Sequence, residues 1–119
     1  MKNTQMLKKN YEFRNVLSRG KYFSGNNIEL FFKKSNSNIS EKINFMGIAI
    51  SVKIAKAVKR NYIKRLIREA YKDIEENLET GYSFVFLWKK KVDITNANYT
   101  NIYEDMKQIF KKAKIYKGL

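Results

Sequence analysis

The chain has 119 residues, of which 44% are hydrophobic, enough to form one compact domain with a core over residues 1–119. Its 25 lysines and arginines outnumber its 11 acidic residues. It contains no cysteine or histidine, and this absence excludes disulfides, zinc fingers, thiol nucleophiles and imidazole bases. A formal charge of +14 is mildly unfavourable for a compact chain, so it indicates a polyanionic partner, with nucleic acid favoured over a membrane surface.

The first twenty residues are predicted to form a basic arm followed by a short helix. Residues 1–9 are polar and basic and lack the apolar segment of a signal peptide, so we expect a loose arm there. Asn10 is suited to cap a helix that runs to about Arg19 and stops at Gly20. The apolar stripe of this helix consists of Phe13, Val16 and Leu17.

Two strands follow, and their alternating apolar residues predict a hairpin. The first strand covers about residues 26–34, with Ile28, Leu30 and Phe32 on one face and Glu29, Phe31 and Lys33 on the other. A turn rich in Ser and Asn at 35–40 leads to the second strand, about residues 43–52. Residues 21–23 are suited to a further short strand.

The second half of the chain is predicted to alternate helix, strand and helix. Residues 57–79 carry apolar side chains along one helical face, and Gly81 follows as a stop signal. An apolar strand covers 82–88, and a last helix covers about 99–114. The order αβββαβα indicates an α+β sandwich with helices packed on a small sheet. No apolar run approaches the ~20 residues of a membrane helix.

The central helix has an uneven distribution of charge. Its cations lie at the N-terminal end and just before it, and they are Lys53, Lys56, Lys59, Arg60, Lys64, Arg65, Arg68 and Lys72. The helix dipole favours cations at the opposite end, so a bound RNA phosphate would explain this placement. The alternative is a solvated basic face. Asn61 lies in the cluster and suits base recognition, the ordering of a metal-bound water, or a local cap.

Residues 57–71, AVKRNYIKRLIREAY, resemble the signature of the bacterial ribonuclease P protein family. The Arg-Asn core of that signature, with two further arginines, appears here as Arg60, Asn61, Arg65 and Arg68. The sequence departs from the family pattern at Ala55-Lys56, where Gly-Asn is frequent, and at Tyr62, where arginine is frequent. The resemblance extends over nearly the whole chain, including the short first helix and the terminal helix.

The resemblance implies a fold and two binding surfaces. The fold would be a small mixed sheet with a left-handed β-α-β crossover, similar to domain 2 of ribosomal protein S5, although ~98% of such crossovers are right-handed. The basic residues of the central helix, together with Asn61, would bind the catalytic RNA. A cleft between the first helix and the sheet would bind the single-stranded 5′ leader of precursor tRNA, and its candidate residues are Phe13, Leu17, Phe31, Lys33 and Tyr116. Aromatic rings beside cations suit an unpaired strand, and the alternative for Phe13 and Phe31 is an ordinary core position.

The implied function is that of the RNA-binding subunit of an endoribonuclease. The RNA subunit would carry the chemistry and bind most of the Mg²⁺, so we expect no catalytic and no metal-binding residue in this chain. We also expect a monomeric protein in the reducing cytoplasm. Three rivals compete with this interpretation: a ribosomal protein bound to rRNA, a membrane-surface helix, and a standalone nuclease built on Glu75, Glu76 and Glu79.

Overall fold

A computed structural model describes residues 1–35 and 42–117. The elements are β1 (Thr4–Met6), α1 (Asn10–Arg19), β2 (Lys21–Ser24), β3 (Ile28–Lys34), β4 (Asn44–Ala49), α2 (Ala57–Ile74), β5 (Tyr82–Trp88) and α3 (Tyr99–Lys112), with short 3-10 turns at Glu75–Asn77 and Ile94–Asn96. The α+β class and the predicted order are confirmed, with β1 added at the start. Apart from Ser35, the turn predicted at 35–40 lies outside the described residues.

The strand order corrects one prediction about the sheet. The five strands lie in the order β1-β4-β5-β3-β2, so β3 and β4 are not neighbours and the predicted hairpin between them is wrong. Instead β5 lies between them, antiparallel to β3 and parallel to β4. It suits the centre because Phe84, Val85 and Phe86 are all fully buried, which requires cover on both faces. The left hand of the crossover through α2 stays a prediction.

The main core lies between the sheet and the helices α2 and α3. The predicted inward residues of β3, which are Ile28, Leu30 and Phe32, are buried there. The apolar face of α2 is also confirmed, since Ile63, Leu66, Ile67, Ala70, Tyr71 and Ile74 are buried. The helix ends at Ile74, five residues before the predicted end, and its last predicted turn is replaced by the 3-10 turn.

The N-terminal segment corrects a second prediction. Residues 4–6 are not loose, because they form β1 and pair in parallel with β4. The carboxylate of Glu75 is 5% exposed and accepts hydrogen bonds from the backbone N–H groups of Lys2 at 2.8 Å and Asn3 at 3.1 Å. The hydroxyls of Thr4 and Tyr71 are hydrogen-bonded at 2.8 Å. Glu75 is therefore an anchor for the chain terminus, not part of a solvated helix end.

Helix α1 differs from the prediction at its N-terminal end and agrees with it at its C-terminal end. The N-cap is Lys9, and the Glu12 carboxylate accepts a hydrogen bond from its backbone N–H at 2.9 Å. Asn10 is thus the first helical residue and not the cap, because the acid three residues after Lys9 satisfies the free N–H group. The predicted stop at Gly20 is confirmed, and the N–H of Gly20 donates to the Val16 carbonyl at 2.8 Å.

Candidate RNA-binding surfaces

The first surface is the exposed side of α2, which we call the basic face. It comprises Lys53, Lys56, Lys59, Arg60, Asn61, Lys64, Arg65, Arg68 and Lys72, all of them at least partly exposed. The N-cap Lys56 makes no side-chain hydrogen bond, and the first turn contains no acid. The free N–H groups at this end of the helix therefore add to the positive potential of the cations.

The cations of the basic face are not neutralised by the protein. Within residues 1–35 and 42–117, the only ion pair joins Lys2 to Glu76, which follows the C-terminal end of α2, and it involves no member of this face. Arg60 is the member with a structural contact, since its guanidinium donates to the carbonyl of Ala55 at 2.7 Å. Asn61 is exposed in the second turn and makes no side-chain hydrogen bond in the described part of the chain, so it does not serve as a cap.

The second surface is the sheet face opposite α2 and α3, where α1 lies. Register places Gly47, Val85, Phe31 and Tyr22 side by side across four strands. Phe31 therefore projects away from the main core, as its alternation predicts, and it packs against a smaller apolar cluster. That cluster has Leu7, Val16 and Val85 at its centre and includes Phe13 and Leu17.

A groove of about 480 Å³ runs between α1 and β4, lined by Asn10, Phe13, Arg14, Leu17, Ile48 and Ala49. It brings together two of the predicted leader-binding residues, Phe13 and Leu17, and Phe31 packs against the same cluster. Arg14 was missed by the sequence interpretation. Its spacing from Asn10 and Leu17, four and three residues, places it on the same helical face and was available as a signal.

Two further predicted residues, like Phe31, do not line this groove. Lys33 lies on β3, and its ammonium donates a hydrogen bond to the side-chain oxygen of Asn15 on α1 at 2.7 Å. Tyr116 is on the other side of the sheet, packed against the main core and bridged to Leu78, so it does not close the cleft. Its position follows from the turn after α3, which carries residues 115–117 against residues 77–79, beyond the end of α2.

Tyr22 is a further aromatic residue that the sequence interpretation missed on this face. Its ring is 47% exposed, and its centroid lies 5.0 Å from that of Phe31. The phenol donates to the Glu29 carboxylate at 2.5 Å, and this hydrogen bond raises the pKa of Tyr22. The signal was its place in the short strand at 21–23, which pairs with the strand that carries Phe31.

The carboxylates do not gather into a metal site in the described part of the chain. Of the three acids considered for a nuclease, Glu75 binds backbone N–H groups, Glu76 pairs with Lys2, and Glu79 is exposed. Each helix in the same residues is too short or too polar to cross a bilayer.

The family model for ribonuclease P matches residues 1–114. The chain belongs to the ribonuclease P protein family. The ribonuclease P protein component of Clostridium botulinum (strain Langeland) is 37% identical over 111 residues, covering 92% of this chain and 95% of that one. That of Clostridium kluyveri is 38% identical over 113 residues, covering 93% and 96%. The family membership extends over both candidate surfaces and does not favour the ribosomal alternative.

Solved structures of the ribonuclease P protein family share the fold. The RNase P protein of Staphylococcus aureus superposes with a TM-score of 0.77 at 23% identity, covering 93% of this chain and 96% of that chain. The protein of Thermotoga maritima gives a TM-score of 0.77 at 21% identity, covering 91% and 96%. The predicted small α+β fold with a mixed sheet is thereby confirmed.

Proposed function

We propose that this chain is the RNA-binding protein subunit of ribonuclease P and that it promotes removal of the 5′ leader from precursor tRNA. The observation that carries the proposal is the basic face, whose cations have no acidic partners in the described residues. An RNA backbone would neutralise them and release counterions, which is the main source of affinity for a protein of this charge. Family membership supports the same role.

The two surfaces divide the work between two RNA ligands. The basic face binds the catalytic RNA, with arginines such as Arg65 and Arg68 making two-point contacts to phosphates. The groove and the adjoining sheet face bind the leader, whose unpaired bases stack on Phe13 in the groove and on Phe31 beside it. Arg14, exposed on the groove wall, pairs with a leader phosphate. Binding both ligands at once raises the affinity for precursor tRNA and screens the repulsion between the two RNA backbones.

The chemistry of cleavage belongs, in this proposal, to the RNA subunit. The chain has no histidine or cysteine to act as a base or nucleophile. Of its carboxylates near the end of α2, Glu75 is engaged by the backbone N–H groups of Lys2 and Asn3, and Glu76 pairs with Lys2. Mg²⁺ is accordingly bound mainly by the RNA. The protein works as a monomer in the bacterial cytoplasm until it joins the RNA.

Cleavage assays with separated subunits test this proposal. Precursor tRNA is incubated with the protein alone, with ribonuclease P RNA alone, and with both, at a Mg²⁺ concentration that limits the RNA alone. We expect no cleavage by the protein alone and faster cleavage at the mature 5′ end by the mixture. Cleavage by the protein alone would indicate a standalone nuclease. A mixture no faster than the RNA alone would exclude the subunit role.

A further inference from the structure

Two exposed apolar side chains, Val58 and Tyr62, lie among the cations of the basic face on α2. Val58 is 80% exposed and Tyr62 is 37% exposed, four residues apart on the helix. With Arg65 they fall within about 60° of the helix circumference, on the side that faces away from the core. Val52, 74% exposed, lies in the loop just before the helix. A surface dedicated to phosphates gains nothing from these side chains.

Tyr62 and Arg65 are in contact with each other on the exposed side of α2. The guanidinium carbon of Arg65 lies 5.5 Å from the centroid of the Tyr62 ring, within the range of a cation–π contact. The Tyr62 hydroxyl makes no hydrogen bond in the described part of the chain, so the ring is not held in place by a polar partner. The arrangement is a partly exposed aromatic ring with a cation over one face, in a helix whose other cations also lack acidic partners in the described residues.

A single exposed apolar residue is ordinary on a protein surface. Here the surrounding charge indicates the class of partner, because the eight cations of the basic face repel a second copy of the same face and attract a polyanion. Of the groups that RNA presents, only an unpaired base has a flat apolar surface that matches a tyrosine ring. Stacking with phosphate pairing beside it is the usual way in which proteins hold unpaired nucleotides.

We propose that Tyr62 stacks on an unpaired base of the RNA bound to α2, while Arg65 pairs with a neighbouring phosphate and Val58 contacts the sugar. This inference rests on the proposed function, because it specifies how the basic face binds its RNA. It adds a base contact to a surface whose other members provide charge. The base is one that the RNA leaves unstacked, in a loop, bulge or junction.

Salt titrations separate stacking from charge. The ligand is ribonuclease P RNA from the same organism, and dissociation constants are measured over a range of salt for the wild type, Tyr62→Ala, Tyr62→Phe, Tyr62→Leu and Lys64→Ala. We expect Tyr62→Ala and Tyr62→Leu to weaken binding roughly 5- to 150-fold with an unchanged salt slope. Tyr62→Phe should bind like the wild type. Lys64→Ala should lower the slope by about 0.7–0.9.

The outcomes separate a failure of the proposed function from a failure of the stacking contact. If the wild type binds RNA without salt dependence, the proposed function fails and the inference with it. If the wild type binds as expected but Tyr62→Ala binds equally well, only stacking is excluded. Full affinity of Tyr62→Leu would mean a general apolar contact and would also overturn stacking.

Fluorescence locates the contact directly. Trp88 is the only tryptophan and is buried, so Trp88→Phe supplies a background free of tryptophan signal. In that background Tyr62→Trp should lose fluorescence on binding the RNA, because a stacked base quenches the indole. The matched control is Tyr103→Trp on α3, which should change little. Equal quenching at both positions, or none at position 62, would contradict the proposal, as would dimerisation of the free protein through this face.

Discussion

The phenyl ring of Phe13 lies directly on the backbone of Gly47. A β-carbon at Gly47 would come within 2.5 Å of two carbon atoms of that ring, closer than any real contact. The absence of a side chain on β4 is therefore what lets α1 approach the sheet and places Phe13 in the wall of the groove. The requirement is for space, not for a special backbone conformation.

Gly47→Ala is expected to destabilise the protein by about 1–3 kcal/mol, because the added methyl group displaces a packed ring. It should also weaken binding of precursor tRNA by altering the groove. Denaturant unfolding and a dissociation constant measure the two effects. In a double-mutant cycle, Phe13→Ala should remove much of the penalty of Gly47→Ala, since the two residues are in contact. Strictly additive free energies would show that the contact does not limit the approach of α1.

Charge reversal on the basic face should weaken binding to the catalytic RNA. Loss of one charge-assisted hydrogen bond costs about 1.5–3 kcal/mol, so Arg65→Glu or Arg68→Glu should raise the dissociation constant at least about tenfold. If about five phosphates are neutralised, the wild-type slope of log K against log salt should be near −3.5 to −4.5. Lys107→Glu on α3 is the matched control. An equal loss at Lys107 would mean that only the net charge matters.

Phe31→Ala tests the leader surface. The ring packs on the smaller cluster beside Tyr22, outside the main core. A stacked base contributes ~1–3 kcal/mol, so the variant should bind precursor tRNA more weakly in the assembled enzyme, with mature tRNA unaffected. Its melting temperature should fall less than that of Phe32→Ala, whose ring is in the main core and costs ~3–5 kcal/mol when truncated. Equal weakening for both tRNAs would assign Phe31 to the core alone.

Glu75→Ala should detach the N-terminal strand. Two backbone N–H groups lose their acceptor, at a cost of about 1–3 kcal/mol for each group that stays out of water. Hydrogen exchange should become faster at residues 4–6, and the free energy of unfolding should fall. Glu75→Gln keeps one acceptor oxygen and should lose less. The control Glu79→Ala, at an exposed side chain, should stay within about 0.5 kcal/mol of the wild type.

Because of Tyr71, we expect the free energy of unfolding to fall at alkaline pH. Burial raises the pKa of Tyr71 above its ordinary value. In the unfolded chain tyrosine ionises near 10, whereas folded Tyr71 stays protonated, so the unfolded state loses protons first as pH rises. Its contribution to stability is complete below about pH 10 and declines above it, by up to about 1.4 kcal/mol per pH unit. Tyr71→Phe should flatten that decline, and Tyr103→Phe should not. Parallel pH profiles for wild type and Tyr71→Phe would contradict this account.

Local periodicity was sufficient for the three helices, for the strands β2 to β5 and for the basic face. The apolar positions of α2 from Ile63 to Ile74 are all buried, and the opposite side carries the cations, because a helix repeats every 3.6 residues whatever it packs against. Alternation likewise placed Phe31 and Phe32 on opposite faces of β3. The motif around Arg60 and Asn61 could also be recognised from the sequence, because its residues are close together in the chain.

Only the tertiary structure decided which distant segments meet. Nothing local to β3 or β4 indicates that β5 lies between them, because strand order depends on which strand gains most from burial on both faces. Glu75 anchors Asn3 from 72 residues away, and Asp105 on α3 accepts a hydrogen bond at 2.6 Å from the backbone N–H of Asn27. The same applies to the exclusion of Tyr116 from the groove. Contacts of this kind depend on the positions of whole elements, and sequence periodicity describes only one element at a time.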